Sequence, residues 1–221
     1  MKVKLISYTV PSSDLLEQGL ENPNDLIAFC ARVSNPSNQL NTETADKLVS
    51  YLVKNKHWSP LEMVNVCFEV ETTRDIARQM LRHRSFSFQE FSQRYADPTQ
   101  ELNFVVREAR LQDPKNRQNS IECDQDSKLQ EDWSIVQEQV IQKAKEAYQW
   151  AIDKGIAKEQ ARAVLPEGNT VSRLYMNGSL RSWIHYLELR CSNGTQKEHS
   201  QIAKEIAGVI KKIFSSVPLN F

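Results

Sequence analysis

The chain has 221 residues, 40% of them apolar, which is enough to build the core of one large domain or two small ones, and we expect one. Lys and Arg total 28, as do Asp and Glu, so the chain lacks the cationic excess that drives nonspecific nucleic-acid binding. Any basic site must therefore be local.

The cysteines and the apolar runs limit the class of protein further. The four cysteines lie far apart, with no CxxC pair and no zinc-ligand spacing. No apolar run approaches the roughly 20 residues that span a bilayer, and Met1 is followed by a strand-like segment rather than a signal peptide. We expect a reduced, cytoplasmic protein with no metal and no membrane partner.

The first half of the chain predicts two strands and three helices. In chain order they are a strand from Lys2 to Val10, a helix capped by Asn24, a helix capped by Asn41 or Thr42 with the buried stripe Ala45, Leu48, Val49, Leu52 and Val53, a strand with apolar even positions from Val64 to Val70, and a helix capped by Thr72 or Thr73 that runs to about His83.

The second half begins with a polar segment of little periodicity, residues 96–127, which predicts a long loop or insertion with a short strand candidate over 102–106. The later predicted elements are a long helix with apolar residues from Leu129 to Ala151 that ends near Gly155, a short helix that ends before Pro166, a strand from Thr170 to Met176, a helix capped by Ser179, and a helix whose capping box is Thr195 and Glu198. The pattern predicts an α/β protein of the α+β type, with a central mixed or antiparallel sheet packed with several helices in a single domain over residues 1–221.

The triplet Arg82-His83-Arg84 is the most informative local feature. Permanent and potential cations so close together repel one another, so a fold tolerates them best around an anion, often a phosphate. Phe86 and the phenylalanines that follow it indicate a partly buried setting, in which an idle charge is costly. We therefore expect Arg82 and Arg84, together with Arg94, to line a site for a phosphorylated ligand.

Arg74, Arg78 and Arg82 repeat every four residues and form one stripe on the preceding helix. For Arg74 we favour a solvated face that pairs with Asp75 or Glu71, which is the common fate of this spacing.

The segment Arg82–Tyr95 resembles the signature of flavin-dependent thymidylate synthases, because it combines the triplet with Glu90, Ser92 and Arg94 at fixed offsets. The similarity extends over residues 57–95 and 161–198. The resemblance implies an enzyme that methylates deoxyuridine monophosphate (dUMP) to thymidine monophosphate (dTMP). It also implies methylenetetrahydrofolate as the carbon donor, FAD as the flavin and NADPH as the reductant. Its implied partners are these small molecules and copies of the chain in a homotetramer with shared active sites, with no nucleic acid.

The resemblance also implies the site residues. Those of the flavin site are His57, Ser59, Arg82, His83, Arg84, Glu90, Ser179, Arg181 and His185. Those that hold dUMP are Gln79, Arg82, Glu90, Ser92, Gln93, Arg94, Arg162 and Arg190. The chain departs from some relatives at Ser179 and His185, where they carry Asn, and at Gly194, where they carry His.

Arg190 is the implied catalytic residue. Methylation requires the uracil ring to become nucleophilic at carbon five, and a cation at the imide edge stabilises the negative charge that develops there. The alternative activation, by a cysteine thiolate, is not supported, and Cys191 is the one cysteine worth testing. For Ser92 we favour substrate binding over nucleophilic catalysis, because no Ser-His-Asp order accompanies it.

Other interpretations remain open from the residues alone. His57 could be a turn histidine and His185 a helix histidine, while Arg162 and Arg190 could pair with Glu159 or Glu188. A noncatalytic nucleotide- or RNA-binding module is one rival function, and a flavoenzyme that acts on a different nucleotide is another.

Overall fold

The structure is a computed structural model that describes residues 1–124 and 127–219. Residues 125 and 126 of the expected insertion, and residues 220 and 221 of the expected domain, lie outside the described residues. The described strands are β1 Lys2–Tyr8, β2 Asn65–Thr73, β3 Ser87–Glu90, β4 Arg110–Gln112, β5 Ser120–Glu122 and β6 Val171–Ser179. The described helices are α1 Ser13–Glu17, α2 Pro23–Ala31, α3 Ala45–Lys54, α4 Arg74–Met80, α5 Pro98–Glu101, α6 Lys128–Asp153, α7 Lys158–Ala161, α8 Leu180–Arg190 and α9 Lys197–Ile213.

Four strands form an antiparallel sheet in the order β1-β2-β6-β3. Val66 lies opposite Gly178 and Phe68 opposite Met176, so the apolar residues of the two central strands share one face of the sheet. All four are buried, as is Val70, which confirms the alternation predicted for β2. The antiparallel sheet packed with helices is the predicted α+β arrangement.

One hydrophobic core joins this face of the sheet to α2, α3, α8 and α9. Trp183 on α8 is completely buried, and its indole N–H donates to the backbone oxygen of Val66 at 3.0 Å. Its ring meets Phe68 edge-on, with centroids 5.1 Å apart. Because a buried indole N–H needs a partner, this bond fixes α8 against β2.

Two predicted caps are wrong. The cap of α2 is Asn22 rather than Asn24, because Asn22 accepts backbone N–H groups at the helix start and Asp25 reciprocates. Thr195 and Glu198 form no capping box, because Thr195 donates its hydroxyl to Leu189 and Glu198 pairs with Arg110.

Two predicted helix boundaries and one predicted strand also differ. Helix α3 begins at Ala45 after Thr44, later than Asn41 or Thr42, while its predicted stripe is confirmed by its buried residues. Helix α4 ends at Met80, before His83, because the chain then turns to bury Phe86. The candidate strand over 102–106 does not form. Phe104 makes an isolated bridge with Thr170, and the backbone N–H of Val105 donates to the backbone oxygen of Asn169, in the turn before β6.

The polar segment contains a short hairpin, in which β4 pairs with β5. The long helix α6 that follows is only half covered. Tyr148 and Ala151 are buried against α7, whereas Trp133 and Val136 are exposed. Its periodicity therefore predicted the helix correctly, but not which part packs within the chain. None of the described helices combines the length and apolarity needed to cross a membrane.

Candidate active site

The Arg-His-Arg triplet lies in the turn between α4 and β3, where Phe86 anchors the chain. The Phe86 ring packs 4.7 Å from Trp183, centroid to centroid. A Cβ atom on Gly178 would lie 2.4 Å from the Phe86 ring, so only glycine permits this approach. The anchored turn leaves Arg82 and Arg84 exposed while His83 is turned partly inward.

His83 meets the predicted catalytic arginine. The Nε of Arg190, at the end of α8, donates to Nε2 of His83 at 2.9 Å. Burial lowers the pKa of His83 to about 4, and the nearby charges of Arg190, His185 and Arg82 add to this effect. A neutral His83 can accept this hydrogen bond, which a charged imidazolium could not.

The alternative partner for Arg190, Glu188, is not used. Within residues 1–124 and 127–219, the terminal nitrogens of Arg190 make neither an ion pair nor a hydrogen bond. The guanidinium is thus held through Nε alone and keeps its terminal donors available.

A buried hydrogen-bond chain runs beside this pair. The Tyr186 hydroxyl lies 3.0 Å from Nε2 of His199, and Nδ1 of His199 lies 3.1 Å from Oε1 of Gln79. Nε2 of Gln79 in turn donates to Oε1 of Gln196 at 2.8 Å. Burial lowers the pKa of His199 to about 3, with contributions from Arg190 and His83, so this ring is neutral as well.

A pocket of about 300 Å³ adjoins the triplet. Its lining residues are Trp58, Glu62, Ser85, Arg181, Ser182, His185 and Glu188. Arg181 pairs with Glu62 at 2.7 Å at its edge. The Glu62 pKa is lowered chiefly by a hydrogen bond from Ser179 and further by Arg181, with burial opposing both.

The other predicted flavin residues flank this pocket without all facing it. Ser179 is buried, and its hydroxyl caps α8 by accepting the backbone N–H of Ser182. This confirms the predicted cap. His57 and Ser59 are exposed on either side of Trp58, and the His57 ring meets Tyr51 edge-on.

The remaining predicted residues form a second group at the end of β3, just after it, and just after α7. Glu90 accepts a hydrogen bond from Ser172 at 2.7 Å and lies 3.5 Å from Arg74. The prediction for Arg74 is therefore wrong. Its side chain is only 13% exposed and pairs with Glu90 and Glu167, because Asp75 is taken by Arg107 and Glu71 by Arg173.

Arg94 and Arg162 meet at one residue of α7. Arg94 lies 3.4 Å from the Glu159 carboxylate, and Arg162 donates to the Glu159 backbone oxygen at 3.3 Å. Gln93 is buried, and the Ser92 hydroxyl accepts the backbone N–H of Arg94. No hydrogen bond or ion pair of the described residues joins this group to Arg190 and His83.

Arg82 and Arg84 are exposed and make no ion pair with any described residue. Arg78, one turn earlier, is neutralised by both oxygens of Glu167. With no ion-pair partner among the described residues, Arg82 and Arg84 keep their donors available, which suits a phosphorylated ligand.

His199 and Tyr186 were missed by sequence reasoning. His199 precedes Ile202 and Ile206 at helical spacing, so the stripe of α9 already placed it on the buried face. Nothing local indicated its partner, because Gln79 lies 120 residues away.

The cysteine thiols are poorly suited to act as nucleophiles. Burial raises the pKa values of Cys30, Cys67 and Cys191, which opposes thiolate formation. Among the described residues no His, Cys, Asp and Glu cluster could hold a metal ion. A larger pocket, of about 670 Å³, lies between the β4–β5 hairpin and the start of α9. It reaches Gln196 but lacks the triplet and Arg190.

An α+β fold that holds arginines with no ion-pair partner among the described residues next to a neutral histidine is typical of proteins that bind phosphorylated, anionic ligands. Comparison with known proteins identifies the family. The family described as thymidylate synthase complementing protein matches residues 14–215. A probable flavin-dependent thymidylate synthase of Paramecium bursaria Chlorella virus 1 is 46% identical over 220 residues, which cover 98% of this chain and 97% of the relative.

The flavin-dependent thymidylate synthase of Synechocystis sp. is 48% identical over 217 residues, again covering 98% and 97% of the two chains. The crystal structure of the UMP/dUMP methylase PolB from Streptomyces cacaoi superposes with a TM-score of 0.78 over 97% of this chain and 93% of that one. At 24% identity, PolB shows that the fold is shared. The chain belongs to the family of flavin-dependent thymidylate synthases.

Proposed function

We propose that this protein methylates dUMP to dTMP, with methylenetetrahydrofolate as carbon donor, FAD as the flavin and NADPH as its reductant. The observation that carries the proposal is the Arg190 guanidinium, held through Nε by a neutral His83 with its terminal donors unpaired among the described residues. The two relatives described above, which are 46% and 48% identical to this chain over nearly its full length, support the same reaction.

Arg190 is the proposed catalytic residue. Its free donors face negative charge that develops on the imide edge of uracil as carbon five becomes nucleophilic. Because His83 holds the guanidinium before substrate binds, little reorganisation is needed at the moment of reaction. The neutral state of His83 avoids a second positive charge that would push Arg190 away.

The residues beside the triplet fit a flavin dinucleotide. Arg82 and Arg84 offer unpaired guanidiniums suited to a pyrophosphate, and His83, Arg181, His185, His57 and Ser59 surround or flank the adjoining pocket. When bound, the flavin supplies hydride for reduction of the transferred carbon. Ser179 contributes through the cap of α8, since its hydroxyl is already engaged.

We propose that dUMP is held by Gln79 and Arg82 from the triplet side and by Glu90, Ser92, Gln93, Arg94 and Arg162 from a neighbouring copy. The two groups share no hydrogen bond or ion pair among the described residues, and Tyr95, beside Arg94, is 80% exposed. A homotetramer with shared sites would bring such groups together. We further propose that the chain forms one domain and acts in the cytoplasm, in keeping with its four free cysteines.

The test is release of tritium from dUMP labelled at carbon five, with dTMP identified by chromatography. We expect purified protein to be yellow from bound flavin and to form dTMP only when methylenetetrahydrofolate and NADPH are both supplied. Bound flavin without dTMP formation would favour a flavoenzyme that acts on another nucleotide. Absence of both flavin binding and turnover would refute the proposal.

A further inference from the structure

The buried chain from Tyr186 through His199 and Gln79 to Gln196 has no assigned role in the reaction. His199 and Tyr186 are completely buried, so the hydrogen bond between them is shielded from competing water, whereas Gln79 and Gln196 are partly exposed. Gln79 is its only member among the proposed substrate residues. The Gln79 amide can present either its oxygen or its N–H₂ group to a ligand.

The three hydrogen bonds that link Tyr186, His199, Gln79 and Gln196 can be formed in two opposite donor-to-acceptor directions, which we call the two polarities of the network. In the first, Tyr186 donates to His199 Nε2, His199 Nδ1–H donates to Gln79 Oε1, and Gln79 donates to Gln196. In the second, every bond is reversed, and His199 donates to the Tyr186 oxygen. Both polarities use a neutral His199, but they differ in the tautomer.

The Tyr186 hydroxyl decides between them. His199 is its only hydrogen-bond partner among the described residues. In the reversed polarity the hydroxyl proton would point into the core without an acceptor, which is costly for a buried donor. Burial also raises the pKa of Tyr186, so the hydroxyl keeps its proton. In the first polarity the Tyr186 hydroxyl and the ring N–H of His199 both have an acceptor.

We propose that Tyr186 and His199 are positioning residues that hold the Gln79 amide with its N–H₂ group toward the ligand, so that Gln79 donates to an acceptor oxygen of the bound nucleotide. One N–H of Gln79 reaches Gln196, and the second has no partner among the described residues. The inference rests on the proposed function for the identity of the nucleotide. The oxygen could belong to a ring carbonyl or to the phosphate, which share this chemistry.

The tautomer of His199 can be measured without turnover. In protein labelled with ¹⁵N-histidine, spectra that correlate ring protons with both ring nitrogens should show Nδ1 protonated and Nε2 unprotonated at pH 7. An Nε2–H tautomer would overturn the proposal. Because this measurement needs no substrate, its outcome is independent of whether the protein makes dTMP.

In Tyr186→Phe, Nε2 of His199 has lost its partner in either tautomer, so the preference for the Nδ1–H tautomer should weaken. We expect a detectable Nε2–H form and a KM for dUMP raised roughly 3- to 10-fold, the range set by loss of about one hydrogen bond, with kcat changed less than twofold. Tyr148→Phe is the matched control, because this buried hydroxyl has no hydrogen-bond partner within the described part of the chain. It should leave the tautomer and KM unchanged. An unchanged tautomer and KM in Tyr186→Phe would refute the inference.

Gln79→Glu provides a second test that does not disturb the core. A carboxylate offers only acceptors, so a donor role predicts weaker binding of dUMP than in Gln79→Met, measured by titration. Retained binding in Gln79→Glu would show that Gln79 acts as an acceptor and would overturn the proposal. Comparison with deoxyuridine identifies the oxygen. A defect for dUMP alone indicates the phosphate, and a defect for both indicates the ring carbonyl.

Discussion

At the scale of single residues, the availability of an arginine depends on whether a carboxylate lies within reach. Arg78 is neutralised by Glu167, and Arg94 by Glu159, whereas Arg82 and Arg84 have no ion-pair partner among the described residues. Exposed pairs of this kind contribute little stability and can exchange partners. Arg94 can therefore leave Glu159 for a phosphate monoester, whose three terminal oxygens share up to two negative charges and accept several hydrogen bonds.

Arg190→Ala should retain flavin but lower kcat for dTMP formation roughly 100- to 1,000-fold, as expected for removal of one preorganised donor to a developing negative charge. Flavin content is measured by visible absorbance and turnover by tritium release.

The control is Arg173→Ala, which removes an arginine that pairs with Glu71 on the sheet. It should keep kcat within about twofold of the parent protein. If Arg190→Ala retained normal turnover, Arg190 would have no part in activation of the ring.

At the scale of elements, the start of α9 is held by charges rather than by a side-chain cap. Arg110 on β4 pairs with Glu198, and both side chains are only 12% exposed. Lys197 pairs with Glu108 and with Glu122 on β5. These ion pairs join the polar segment to Lys197, the residue after Gln196. The polar segment therefore supports the Gln196 end of the hydrogen-bond network that includes Gln79.

Glu198→Ala should lower the free energy of unfolding by about 2 kcal/mol, because it removes the closer of the two carboxylates that pair with the largely buried Arg110 guanidinium and leaves Glu108 at 3.7 Å. Urea denaturation followed by far-ultraviolet circular dichroism measures the loss. Glu146→Ala, which breaks the exposed pair with Lys143, should lose less than about 1 kcal/mol. Equal losses in the two variants would mean that burial of the Arg110 pair is unimportant.

At the scale of the whole molecule, the two neutral histidines connect stability to pH. The pKa values of His83 and His199 are lowered to about 4 and about 3, whereas a histidine in the unfolded chain has a pKa of about 6.5. Below about pH 6.5 these two histidines bind protons in the unfolded chain but not in the folded chain, so the free energy of unfolding decreases as pH falls. Carboxylates whose pKa is lowered by folding, such as Glu198, begin to lose their stabilising contribution only below about pH 4.3, the pKa of a glutamate in the unfolded chain.

The urea midpoint should therefore decrease between pH 7 and pH 5, before the carboxylates contribute. His83→Asn should reduce this decrease, since the variant lacks one of the two sites that take up a proton on unfolding. His57→Asn changes an exposed histidine and should show the same decrease as the parent protein. A midpoint that is constant from pH 7 to pH 5 would contradict the neutral state of the buried pair.

Elements with strong periodicity were predictable because their signals are local. The alternation of β2, the stripe of α3 and the cap and apolar face of α8 all depend on residues within a few positions of one another. Caps and ends were less predictable. Thr195 and Glu198 had suitable spacing, but distant groups took both side chains.

The sequence by itself determined the family, through the Arg-His-Arg segment with Glu90, Ser92 and Arg94, and most of the helices and strands. Only the tertiary structure decided that His83 holds Arg190 across 107 residues and that His199 meets Gln79 across 120. It also decided which arginines stay unpaired. The physical reason is that capping and amphipathic patterns act over one or two turns, whereas hydrogen-bond partners and burial depend on how separate elements pack.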